Sequence, residues 1–303
     1  MNGKKRRPAA SQKDSTRPSL KKKASGLEAR LRNLKTILKN MDRVVVAYSG
    51  GVDSSLLLRV AADVLGPRVY AVIASSPTYP DREIRAARAL ARRLKVRHEV
   101  IATKEMDNPA FTANPPLRCY HCKRELMTEI RRIADRKGIA VIVDGQNADD
   151  LGDYRPGARA AAEMGVRSPL REAGLTKAEI RTLSRRFGLP TWNKPAMACL
   201  ASRFPYDTPI TAEALQRVGR AEDALNKLGF VQLRVRHHDT VARIEVGSDD
   251  IAKIARPPVR KRIVAALCKL GYMYVTLDLS GYRTGSMNET LSAAARTAHT
   301  GGR

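Results

Sequence analysis

Two stretches of this chain hold residue types that do chemistry in combination. The first, VVVAYSGGVDSSLLL (residues 44–58), runs from β-branched residues into Ser49, Gly50, Gly51, Asp53, Ser54 and Ser55. Glycines in a strand-to-helix turn allow backbone angles that other residues avoid and let a ligand come close. Amides there point outward at the positive end of the helix dipole, so the turn is an anion cradle suited to phosphate. The second carries sulfur. Cys119-Tyr-His-Cys122 follows Asn114-Pro-Pro at the expected start of a helix, where the dipole favours thiolate. Cys199, in KPAMACLASR (residues 194–203), is the candidate third member. A C-x-x-C pair suits half a zinc site, a redox pair or a cluster site, and spacing alone does not rank them. Three thiolates can hold a cubane iron–sulfur cluster with one iron open, whereas structural zinc wants four ligands, for which His121 is the available fourth. Cys268 lies in an apolar helical stretch and is expected to be a small core residue.

A further stretch, DGQNADDLGDYRPG (residues 144–157), follows a strand end and should open on the same sheet edge as the glycine turn. Asp149, Asp150 and Asp153 are close enough in sequence to serve one Mg²⁺, which takes carboxylates together with phosphate oxygens. Each of them would equally suit an Asx-capped loop.

The elements that must position these residues alternate. Strands expected at 43–48, 68–74, 97–101 and 139–144 are separated by helices at 53–65, 81–94 and 123–135, with a leading helix at 27–39. That is the pattern of βαβ units: an α/β fold with a parallel sheet covered on both faces, whose ligands bind beyond the carboxyl ends of the strands. After residue 206 the texture changes to a helix (212–228), strands (230–236 and 242–246), a helix (258–270) and a strand (272–279), a second, smaller α+β domain. The expected organisation is therefore a disordered basic tail (1–25), the parallel-sheet domain (26–205), the small domain (206–283) and a loose tail (284–303).

Composition agrees with this division. A chain of 303 residues with 43% hydrophobic content can bury a core, and about two domains are expected at that length. Of the net charge of +26, the first 25 residues carry nine Lys/Arg against one Asp, leaving +18 over the other 278. Such a surplus attracts phosphate-bearing ligands of any size. Aromatics at 5% supply no stacking platform, so nucleic acid is not the expected partner. No run approaches the roughly 18 apolar residues of a membrane span, and the first 25 residues lack the apolar segment of a secretion signal. A cytoplasmic protein is expected. Four cysteines are too few for a disulfide scaffold at this size, so reduced thiols with a task are expected.

The glycine turn lacks the Lys of the ATPase P-loop and the spacing of G-x-G-x-x-G. S-G-G-x-D-S directly after a strand resembles instead the PP-loop of the ATP pyrophosphatases, which cleave ATP between the α- and β-phosphates and adenylate a substrate oxygen. That resemblance implies that Ser49, Gly50, Gly51, Ser54 and Ser55 hold pyrophosphate and that Asp53 helps place Mg²⁺, for which the spacing of Asp149 and Asp150 offers further carboxylates. The PP-loop together with NPPLRCYHCK (114–123), DGQNADDLGDYRPGARAA (144–161), LPTWNKPAMACLASRFPY (189–206), LRVRHHDTVARIEV (233–246) and GYRTGSMN (281–288) resembles the LarE family, ATP-dependent sulfur insertases of nickel-pincer nucleotide biosynthesis. The resemblance runs over residues 27 to 288.

It implies adenylation of a carboxylate of pyridinium-3,5-biscarboxylic acid mononucleotide, with sulfur then replacing AMP. In one kind of family member a single cysteine, matched here by Cys199, gives up its own sulfur. In the other kind three cysteines, matched by Cys119, Cys122 and Cys199, hold a [4Fe-4S] cluster whose open iron carries sulfide. All three are present, which favours the cluster kind. ATP, Mg²⁺ and the cluster are thus the expected cofactors, and a small nucleotide substrate, a sulfide donor and other copies of the chain the expected partners. Arg203, Arg234 and Arg236 are the expected grips on substrate phosphate and carboxylates, since a guanidinium binds both bidentately. A tRNA thiolation enzyme is the alternative that shares a PP-loop, a C-x-x-C and basic charge.

Overall fold

A computed structural model describes residues 17–152, 156–195, 198–283, 285–286 and 289. Val44, Val45 and Val46 are fully buried and form the centre of β1 (Val44–Ala47), as expected of β-branched residues in a strand covered on both faces. β2 (Val69–Ser75) and β3 (Arg97–Ala102) lie on one side of it and β4 (Val141–Val143) on the other. The order is β3-β2-β1-β4, all parallel, with Val44 in register with both Val69 and Val141. The chain therefore moves outward in one direction through β2 and β3 and returns to the opposite side of β1. That reversal opens a crevice beyond the carboxyl ends of β1 and β4.

The helix Val52–Leu65 follows β1 and buries Leu56, Leu57, Leu58, Val60 and Ala61 completely, which anchors the turn before it. The helix Arg17–Lys39 packs on it through Leu31, Leu34 and Leu38. Its backbone takes in residues 17–25, which were expected to be disordered; the helical periodicity read from Leu27 extends further back than the apolar residues do. Residues 1–16 lie outside the described residues, as does nearly all of 284–303.

A second sheet is small and mixed. β5 (Leu233–His238) pairs antiparallel with β6 (Val241–Val246), and β6 pairs parallel with β7 (Tyr274–Leu277). Its core of Leu225, Phe230, Val235, Ile244, Ile263 and Leu267 is separate from that of the parallel sheet. Cys268 is exposed, contrary to expectation: Ile263 and Leu267 take the buried face of their helix and leave it outside. Between the sheets lies a further apolar cluster that includes Phe111, Leu200, Phe204 and Leu215, with Cys122 and Cys199 packed against it.

Candidate active site

The PP-loop is held by close backbone packing. Gly50 has φ +71°, and a Cβ on it would lie 2.8 Å from that of Ala87. Gly51 caps the helix Val52–Leu65 with no side-chain hydrogen bond, so the helix start is left to a ligand. Ser49 Oγ and Ser54 Oγ are 3.0 Å apart. Ser49, Gly51 and Asp53 line a cavity of about 390 Å³. Gly50, Ser54 and Ser55 stand behind that wall. Ser55 is wholly buried with its hydroxyl 3.4 Å from that of Tyr48, whose own burial pushes its pKa up to about 12.

The loop after β4 forms the opposite wall. Gly145 lets it close on the PP-loop, since a Cβ there would meet Ser54 N at 2.9 Å. Asp53 accepts from Asn147 Nδ2 at 3.3 Å and pairs through its other oxygen with Lys177 Nζ. Asp149 accepts from the Lys177 amide at 2.8 Å, and Asp150 from the Asn147 amide at 2.9 Å. Lys194 donates to the Gly50 carbonyl at 3.0 Å and pairs with Glu83. Asp53, Asp149, Asp150, Lys177 and Lys194 all line the smaller cavity. Oxygen donors beside a phosphate cradle suit a hard cation shared with phosphate, although among the described residues no three His, Cys, Asp or Glu side chains stand close enough to hold one metal ion by themselves. Asp153 lies outside the described residues.

Lys177 and Lys194 were not singled out from sequence. Their signal was the missing P-loop lysine: a triphosphate needs cationic partners, and these arrive from the start of the helix Lys177–Arg186 and from the segment before Cys199.

The cysteines line a second cavity, of about 640 Å³. The helix that carries two of them begins at Arg118, five residues earlier than expected, so Cys119 and Cys122 lie about one turn apart on the same face near its start. Cys199 precedes the turn Leu200–Arg203. His121, the available fourth zinc ligand, does not line the cavity. All three thiols line that cavity, although among the described residues they do not stand close enough together to hold one metal ion.

The expectation that the helix start lowers the thiol pKa is overturned. Cys119 has surface open to the cavity, but the protein enclosing it and the nearby Cys199 push its thiol up, against the opposing charge of Arg118. Burial, then the charges of Cys199, Glu105 and Cys119, hold Cys122 well above 9.0. Desolvation outweighs the dipole.

The three expected arginines divide. Arg203 does not line either cavity. Its Nε and Nη2 are bound by Glu222 at 2.8 and 2.9 Å and its Nη1 takes the carbonyls of Ala198 and Cys199 at 2.9 and 3.1 Å, so it braces the Cys199 loop from behind. Arg236 lines the larger cavity while paired with Glu245 at 2.8 and 2.7 Å, and it also donates to the Ser202 carbonyl at 2.7 Å. Arg234 lines it beside Tyr282, its guanidinium 5.0 Å from the ring centroid.

The two cavities adjoin. Ser49, Tyr79, Glu83, Ala198 and Cys199 belong to both walls, so Cys199 faces the PP-loop compartment as well as the cavity of its partner thiols. Tyr79 is held protonated there, since burial and then the charges of Cys122 and Cys199 raise its pKa well above 10.0.

A family model described as NAD synthase matches residues 27–127, from the first helix through β1, the PP-loop and the C-x-x-C turn. An uncharacterized protein of Synechocystis sp. is 47% identical over 266 residues, 88% of this chain and 99% of its own. The pyridinium-3,5-bisthiocarboxylic acid mononucleotide synthase of Lactiplantibacillus plantarum, LarE, is 40% identical over 258 residues, 85% of this chain and 93% of its own. The chain belongs to the LarE family. An uncharacterized protein of Methanocaldococcus jannaschii is 28% identical over 252 residues, 83% of this chain and 95% of its own. The LarE match spans 85% of the chain, whereas the NAD synthase model ends at residue 127, before β4. This LarE-family chain is thus an ATP-dependent enzyme with a PP-loop.

Proposed function

We propose that the protein converts the carboxylates of pyridinium-3,5-biscarboxylic acid mononucleotide into thiocarboxylates at the expense of ATP. The observation that carries this reading is that Cys199 lies on the wall shared by the PP-loop cavity and the thiol cavity. A carboxylate is a poor electrophile. Its oxygen attacks the α-phosphorus of ATP, pyrophosphate leaves, and the resulting acyl adenylate offers AMP as a leaving group to a sulfur nucleophile. The acyl carbon gains a C–S bond as the C–O bond to AMP breaks. A second round on the other carboxylate completes the product.

Ser49, Gly51 and the helix start behind them receive the departing pyrophosphate, while Lys177 and Lys194 offset its charge. Mg²⁺ held by Asp53, Asp149 and Asp150 would neutralise charge on the phosphates. Arg234 and Arg236 bind the substrate phosphate from β5. A [4Fe-4S] cluster on Cys119, Cys122 and Cys199 would leave one iron open to present sulfide, replenished by an external donor. The protein's part is to keep that chamber enclosed and apolar on one side through Phe111 and Leu126. All four cysteines are free, as a reducing cytoplasmic setting requires. Among the described residues no helix is long and apolar enough to cross a membrane.

The test is anaerobic reconstitution with iron and sulfide, an iron and sulfide count, and then incubation with the biscarboxylate mononucleotide, ATP and Mg²⁺. Production of AMP, pyrophosphate and a thiocarboxylate is expected, with iron content lost in Cys119→Ala. Full iron content in Cys119→Ala would remove the cluster, and loss of the mass of one H₂S at Cys199 after turnover would make that residue the consumed donor.

A further inference from the structure

We infer that Arg118 binds the carboxylate of the substrate that is not reacting. The inference rests on the function proposed above and adds a residue that the sequence did not single out. Arg118 opens the helix Arg118–Arg136, one residue before Cys119, and is 3% exposed. It forms part of the wall of the larger cavity. Two other buried guanidiniums near the thiols are each held by a carboxylate, Arg203 by Glu222 and Arg236 by Glu245, both bidentate, and Arg234 is held against Tyr282. Arg118 has no carboxylate among the described residues, and its Nε and Nη1 are buried without an acceptor. It is held instead by Tyr206, to which it donates a hydrogen bond and whose ring centroid lies 4.6 Å from the guanidinium carbon.

A desolvated cation with unmet donors is unfavourable until an anion arrives. Stacking on Tyr206 fixes the plane of the guanidinium, which suits a planar carboxylate more than a point charge. The proposed substrate brings two carboxylates on one ring. When one faces the PP-loop cavity across Ser49 and Cys199, its 3,5 relationship directs the other to a different part of the wall, where Arg118 is a buried cation with no carboxylate among the described residues. After the first round the waiting group is a thiocarboxylate, again a planar anion, so one residue serves both rounds once the ring is turned.

The experiment measures equilibrium binding to the full chain of two probes, pyridinium-3,5-biscarboxylic acid mononucleotide and nicotinic acid mononucleotide, which lacks one carboxylate. The unsubstituted protein should prefer the biscarboxylate by about tenfold to a hundredfold, the range for a buried charged hydrogen-bonded pair. Arg118→Gln should lose that preference while keeping its affinity for the monocarboxylate and for ATP, and Arg118→Lys should fall between. A preference that survives in Arg118→Gln overturns the assignment. So does an equal loss for both probes, or lost iron uptake with the preference intact. If the unsubstituted protein binds ATP but neither mononucleotide, the proposed function itself falls and takes this inference with it.

Discussion

Arg203 and Glu222 meet through two parallel hydrogen bonds, Nε to Oε1 at 2.8 Å and Nη2 to Oε2 at 2.9 Å, and both side chains are almost wholly buried. Glu222 lies on the helix Ala212–Lys227, and its Oε1 also accepts from the Val235 amide at 3.1 Å on β5. Arg203 in turn holds the Cys199 carbonyl. One ion pair thus ties the cysteine loop to the small sheet, and its state should be felt both in stability and in the position of Cys199.

Removing one partner of a buried pair costs about 3–5 kcal/mol, because the other is left charged and unpaired. Glu222→Gln should lower the unfolding free energy by that order, measured by urea denaturation. The pH dependence has a definite sign. Burial pushes the Glu222 carboxyl up, but Arg203 and its hydrogen bonds outweigh burial and keep it below 4.5. The unfolded chain therefore takes up the proton first as pH falls, so the pair's stabilisation is full above about pH 4.5 and is lost as pH drops through the lower folded value. Glu222→Gln should remove this component of the acid slope; an unchanged slope would count against it.

Gly145→Ala should weaken ATP binding at least tenfold, since the added methyl would meet Ser54 N at 2.9 Å and push the PP-loop helix start away. Gly138→Ala is the comparison. Gly138 has φ +61° but nothing within 4 Å, so it should lose only about 1 kcal/mol of stability and bind ATP normally. Calorimetric titration with ATP and Mg²⁺ separates the two.

Lys177→Met should lower ATP affinity by roughly tenfold to a hundredfold, because it removes the cation now resting on Asp53 at the mouth of the phosphate cradle. Equal affinity in the variant would show that Lys177 only neutralises Asp53.

Cys122 should resist alkylation at neutral pH. Its thiol stays protonated well above pH 9.0 because burial, then neighbouring negative charge, disfavours thiolate. Its rate with iodoacetamide should climb about tenfold per pH unit between pH 7 and 9, as the thiolate is the reactive species. Peptide mass spectrometry, with exposed Cys268 as the internal reference, reads this directly. Equal rates at Cys122 and Cys268 at pH 7 would contradict the burial argument.

Much of this was written locally in the chain. The valines of β1, the apolar helix after it and the glycines between them depend on nearest-neighbour backbone geometry and on period, so the parallel sheet and its anion-binding turn were legible in the sequence. The motif spellings likewise identified the thiols that belong to one cavity. Tertiary structure alone decided which partner each charged group takes. It brought Lys177 and Lys194 to Asp53 and Gly50 from 124 and 144 residues away, locked Arg203 behind the cysteine loop, and left Arg118 without a carboxylate among the described residues. It also reversed the expected thiol pKa, because desolvation depends on everything packed around a group, whereas a helix start is visible from its own few residues.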